Sequence, residues 1–270
     1  YNYISDYPKA LDNFDKALKI FKTNGSTLGQ VSAILNKGNA YYYSTECGKA
    51  EKCYRVALEI YRSNPVDESS LTNIYNNLGS ACACQEKYQE GLYWFKKSLN
   101  ISEKRHDSIS IAYAYNNIGS NLNAQDKFDD ALPYLEKALE LKLKHGSNTE
   151  KADGYVNIAA TLYSKKNYSK ALMNLEKAQL LLDTSVYNND LKRLYNDLAD
   201  NYEHLNKLEL SNKYHKLLRH LNSEILVKEM AAQIEQKDMM NEFSKSHLRD
   251  SLVQASKIEK QKAEIGRSNT

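Results

Sequence analysis

The side chains that could carry chemistry are few, and most are badly spaced for it. Six His are scattered along the 270 residues. His215 and His220 lie five apart, whereas two ligands on one helical face lie four apart, so they do not form a metal pair. Cys47, Cys53, Cys82 and Cys84 form no CxxC. Cys82 and Cys84 would point to different faces of a helix and should not pair locally. All four cysteines are read as small apolar fillers, a pattern that leans toward a reducing compartment. There is no P-loop, GxSxG, HExxH or GxGxxG, so neither catalysis nor a cofactor nor a metal is expected. What does recur is the carboxamide. Asn36, Asn77, Asn117 and Asn157, then Asp197, stand at near-constant intervals. An Asn amide offers a donor and an acceptor, matching the N–H and C=O of an extended peptide. The expected chemistry is recognition.

These residues sit inside a repeat. Each of five segments, beginning with NKGNAYYY at Asn36 and ending with NDLADNYE at Asn196, carries one small residue: Gly38, Gly79, Gly119, Ala159 and Ala199. The steps are 41, 40, 40 and 40. Twelve residues after each comes a second small residue: Ala50, Gly91, Ala131, Ala171 and Ser211, with Ala10 one period earlier. Periods of this size mean a solenoid or array. Each unit reads as two helices, with apolar positions at helical spacing such as Tyr115, Ile118 and Leu122. Polar breaks (CQEK, AQDK, SKKN) separate helix A from helix B. Helix B repeats a small-x3-large-x2-small pattern, as in Ala131/Leu135/Ala138. A small residue on one helix lets its partner approach the backbone, and the large one fills the adjoining hole. One such hairpin cannot bury its apolar face, so the units must stack.

The pattern resembles the tetratricopeptide repeat (TPR), from Tyr1 to about Leu218. It departs in three ways. Ile34, Tyr75, Tyr115, Tyr155 and Tyr195 stand at the tryptophan position, the usual closing proline is missing, and the period is 40 rather than 34. Extended repeats of this kind are similar to those of kinesin light chains, Rap-type bacterial peptide receptors, and the sensor regions of bacterial TPR-containing kinases and regulators. The resemblance implies an all-α, right-handed solenoid over 1–218. It would comprise a partial unit at 1–24 and units at about 30–65, 71–106, 111–146, 151–186 and 190–218. Unit one lacks most of helix A, which suggests a chain cut from something longer.

In TPR superhelices helix A lines the concave face, and in the relatives Asn at the ladder position contacts the ligand backbone. The resemblance therefore implies a peptide-binding set: Asn36, Asn39, Tyr42, Tyr43, Asn73, Asn77, Ser80, Tyr113, Asn117, Ser120, Asn123, Asn157, Tyr163, Asp197 and Asp200. Asn117 and Asn157 match best. The lining turns acidic in the last unit, at Asp197, Asp200 and Glu203. It lacks the repeated Lys/Arg that would clamp a C-terminal carboxylate. The expected role is a non-catalytic peptide- or protein-binding module, the sensory or regulatory region of a larger bacterial signalling protein. The alternative is a constitutive scaffold.

From about residue 219 to the end the repeat vanishes while helix formers continue. A helix over 219–265 would be about 70 Å long. Its apolar phase slips, which argues against a long regular coiled coil. It is read as a cap or connector, with its first third packing on unit six, and as a route to dimerisation. FSKSHLRDSL around His247 faintly resembles a histidine-kinase phospho-acceptor box but lacks its acidic residue and proline. Composition agrees with a folded protein: 41% hydrophobic, 26% charged, net charge +3, with 21 Tyr and 27 Asn. The charge is spread without a basic block, so nucleic acid is not expected as a partner. No apolar run reaches a membrane span. The cytoplasm is slightly favoured, with a periplasmic sensor region as the alternative. Between Gly154 and Gly266 there is no Gly or Pro, which argues against a turn-rich all-β fold there.

Overall fold

In the computed structural model the described residues are 7–183 and 189–268, without the side chains of Gln236, His247 and 254–268. The His247 box therefore lies outside the described side chains. The described residues are helical and contain no strand. The helices run in chain order: α1 (Tyr7–Thr23), α2 (Thr27–Tyr43), α3 (Cys47–Ser63), α4 (Glu68–Cys84), α5 (Tyr88–Lys104) and α6 (Ser108–Asn123). They continue as α7 (Phe128–His145), α8 (Asn148–Ser164), α9 (Tyr168–Gln179), α10 (Asn189–His204) and α11 (Leu208–Ser268). Consecutive helices pack from α1 through α10, and α2, α4, α6, α8 and α10 also touch one another in sequence. The even-numbered helices therefore form one continuous face, as expected of helix A in a stacked solenoid.

The 40-residue period is written into the helix ends. Ser26, Asp67, Asp107 and Ser147 each cap an A helix by accepting the N–H three residues on, which satisfies a donor that the helix leaves free. Ser147 and Glu150 close a full capping box. Every A helix then ends in the same turn. Thr45, Glu86, Asp126, Lys166 and Asn206 have φ between 56° and 63°. The N–H after each donates five residues back, as from Lys127 to the carbonyl of Leu122 at 3.0 Å, while Asp126 itself donates to Asn123. This is a Schellman closure with a non-glycine residue in the left-handed position, and it accounts for the polar breaks in the sequence.

Between the two helices of a unit the small residues do what their spacing implies. A Cβ on Gly79 would stand 2.4 Å from the Phe95 ring, and one on Gly119 would stand 2.7 Å from Cγ of Leu135. Ala159 and Leu175, one period on, are both fully buried. The large residue of helix B thus rests directly on the backbone of helix A. Tyr supplies much of this filling. Tyr54 is 1% exposed, and Tyr202 stacks on Tyr214 with centroids 5.6 Å apart.

The solenoid unit runs through Leu221, and residues 222–268 belong to a second compact unit. That unit is the later part of α11, and its described side chains are mostly exposed. No helix among the described residues is long and apolar enough to cross a membrane.

Candidate functional site

The repeated asparagines lie on the face made by the A helices, and the structure joins them into rungs. Asn157 Nδ2 donates to Asn116 Oδ1 at 2.6 Å, and Asn117 Nδ2 donates to Asn76 Oδ1 at 3.3 Å. Each donor reaches the first Asn of the NN pair one unit back. In the first step the register shifts. Asn77 donates to Asn39 Oδ1 at 3.3 Å, an atom that also accepts from the Tyr54 hydroxyl at 2.8 Å. Asn77, Asn117 and Asn157 are half-buried, while Asn36 is exposed. One N–H of each laddered amide is thereby committed to the neighbouring unit. Asn157 also gives an N–H to Asp153 at 3.2 Å, so it keeps only spare oxygen capacity, whereas Asn77 and Asn117 keep a second N–H.

The other expected lining residues divide. Tyr42 is half-buried against the exposed Tyr43, with ring centroids 5.8 Å apart. Asn73 and Ser120 are exposed, Ser80 is half-buried, and Asn123 holds its buried Oδ1 without a partner. The Tyr113 hydroxyl donates to Glu150 at 2.8 Å, and its ring lies 5.5 Å from the Lys142 ammonium. Tyr163 packs edge-on to Tyr168 and His204. Asp200 accepts from Asn196.

A charged network on this face escaped the sequence reading. Lys142, whose side chain is 1% exposed, pairs with Asp153 at 2.6 Å, and Arg193 of α10 reaches the same carboxylate at 3.4 Å. Arg193 also donates to Asn157 Oδ1 at 2.6 Å. The signal for Lys142 was present. Leu135, Leu139 and Lys142 follow i, i+4, i+7 along α7, so the lysine occupies a position of the apolar stripe.

Along the edge between the second and third units, one expectation is overturned. Cys47, at the start of α3, and Cys84, at the end of α4, form a disulfide with Cα atoms 6.1 Å apart. They are not fillers, although Cys53 and Cys82 remain free thiols. The pair escapes periodicity because it occurs once, between different helices whose ends the stacking brings together. Such a bond persists where thiols are oxidised, so the lean toward a reducing compartment loses its basis.

Beside this disulfide Glu51 gathers three donors: Lys87 at 2.9 Å, Gln85 at 2.8 Å and Arg55, which also reaches Glu90. Burial alone would raise its carboxyl pKa. The hydrogen bonds from Lys87, Gln85 and Arg55 outweigh burial and hold it at about 2, below the usual 4.5. A carboxyl depressed on folding contributes stability that is complete above pH 4.5 and is lost as pH falls toward about 2. Glu51→Gln should therefore flatten the acid limb of stability in that window while lowering stability at neutral pH. Urea titrations between pH 2 and 7 measure this, and parallel acid limbs would refute it. Glu51, Glu90 and Cys82 are close enough to hold an ion. The carboxylates are already spent on Arg55 and Lys87, and burial pushes the Cys82 thiol up to about 12, so the cluster is a poor metal site.

Stacked two-helix units with a polar A-helix face define a TPR-type helical solenoid, a fold whose general use is protein interaction. Residues 70–144 match the family model described as tetratricopeptide repeat. None of the curated proteins compared with the sequence matches significantly. Among solved structures the chain is similar to BtubC (BKLC) from P. vanneervenii, with TM-score 0.65 and 18% identity over 82% of this chain and 92% of that one. It is similar to a Podosopora anserina kinesin light chain protein of nearly identical TPR-like repeats, with TM-score 0.55 and 13% identity, covering 72% and 96%. It is also similar to the apo form of RapI, with TM-score 0.51 and 16% identity, covering 82% and 98%. At these identities the likeness is one of fold.

Proposed function

We propose that the chain is a non-catalytic module that holds an extended peptide or protein segment along the face of its A helices, as the sensory or regulatory part of a signalling protein. The observation that carries this is the rung geometry. Asn157 on Asn116 and Asn117 on Asn76 fix successive amides along the A-helix face, which offers a backbone the spare N–H of Asn117 and the remaining oxygen lone pairs of the rungs. The exposed Tyr43 and Tyr113 rings add contact area at low entropic cost.

The test is selection of phage-displayed random peptides on the full chain. Peptides should emerge whose Kd rises about tenfold or more in the Asn117→Ala/Asn157→Ala variant, as expected for two lost hydrogen bonds to the ligand. The same change removes three inter-unit bonds, Asn117 to Asn76, Asn157 to Asn116 and Arg193 to Asn157, so stability should also fall, by about 2–4 kcal/mol. Selected peptides whose affinity ignores both substitutions would sink the ladder reading. Small-angle scattering with and without such a peptide separates switching from scaffolding. A ligand that shifts the superhelical pitch must bind the two states differently, and an unchanged profile favours the scaffold.

A further inference from the structure

The ladder breaks at the step from α8 to α10. One period after Asn116 and Asn157, the acceptor position is Val156 and the donor position is Asp197. Valine cannot accept and a carboxylate cannot donate, so the rung has no counterpart here. In its place a cavity of about 170 Å³ opens between α8, α9 and α10. Ala159, Ala160 and Leu175 give it apolar walls, and Asp197, Asp200 and Asn201 also line it. Asn201 is 2% exposed. Its Nδ2 donates to the Asp197 carbonyl at 2.7 Å, but its buried Oδ1 has no partner. A buried amide oxygen without a donor is costly and calls for a donor from outside. Burial also pushes the Asp197 carboxyl above its usual range, with Arg193 only partly offsetting it. That guanidinium is spent on Asn157 and Asp153.

We propose that this cavity receives a basic side chain, Lys or Arg, of the segment bound along the A-helix face, with the aliphatic stem on the apolar walls and the cation among Asp197, Asp200 and Asn201 Oδ1. This rests on the peptide-binding reading above. It adds a charge requirement at one register of the ligand. The apolar walls favour a stemmed cation over a bare ion. Asp200, Glu203 and His215 do lie within 4.8 Å of one another, but neither Glu203 nor His215 lines the cavity.

The test selects random peptides on the wild-type chain and on the Asp197→Asn/Asp200→Asn variant. Wild-type peptides should share a Lys or Arg at one register. Replacing it with Met should weaken binding to wild type about tenfold or more, the scale of a charge-assisted bond, and should leave binding to the variant unchanged. The variant removes two neighbouring carboxylates whose charge Arg193 only partly offsets, and an Asn at 200 can still accept from Asn196, so its Tm should not fall. Ala160→Leu, which fills the cavity and keeps both carboxylates, should also abolish the preference. Selected peptides without a shared basic residue, or a Met penalty equal on both chains, overturn this proposal and leave the groove reading standing. If no peptide is selected, both fall. Zn²⁺ titrated alone that binds wild type but not the variant, with no basic preference among the peptides, would assign the acidic groups to a metal and overturn the proposal.

Discussion

Reduction of the Cys47–Cys84 bond should lower the unfolding free energy by about 3–4 kcal/mol. The bond closes a loop of 37 residues in sequence separation, and cross-linking a loop of that size removes conformational freedom from the unfolded chain. Urea unfolding with and without reductant measures the difference. Cys47→Ser/Cys84→Ser should match the reduced wild type and no longer respond to reductant. Cys53 and Cys82 are free in the folded protein, so they give the variant no route to the same staple. A double-serine chain as stable as the oxidised wild type would refute the staple.

The second large effect is an asymmetry. Asp153→Ala should cost about 3 kcal/mol, because it leaves the ammonium of Lys142 buried without its carboxylate. Lys142→Met should cost under about 1 kcal/mol. Methionine fills the same channel, and the Asp153 side chain it abandons is 37% exposed and still has Arg193. Combining the two should recover most of the Asp153→Ala loss, a coupling that a double-mutant cycle reports directly. Equal costs for the two single changes would show that the pair is not the source of the effect.

How far the sequence disclosed this molecule depends on whether a feature repeats. The two-helix unit was legible because Gly79 and Gly119 recur with their partners Phe95 and Leu135 in fixed register, and contact physics follows from that register. The breaks at CQEK, AQDK and SKKN were legible as turns. Their left-handed closure at Glu86, Asp126 and Lys166 was not, because three unlike side chains occupy one backbone conformation. Asn117 and Asn157 were legible as a ladder, but their partners Asn76 and Asn116 were not, since a one-residue offset on the helix decides which amide meets which. The disulfide and the buried Lys142 each occur once. A pairing made only by stacking leaves no period to read, and a lysine in an apolar stripe looks like a misplaced surface residue until its counter-ion is seen.

The staple also changes what a protease can achieve. The connector between α3 and α4 is exposed throughout, contains Pro65, and lies inside the loop that Cys47 and Cys84 close. Exposed segments of this kind are where chains are nicked first. A single cut there leaves both fragments covalently joined across the unit boundary. Repeat packing on either side holds them in place, so the nicked protein keeps its continuity for as long as the bond stays oxidised.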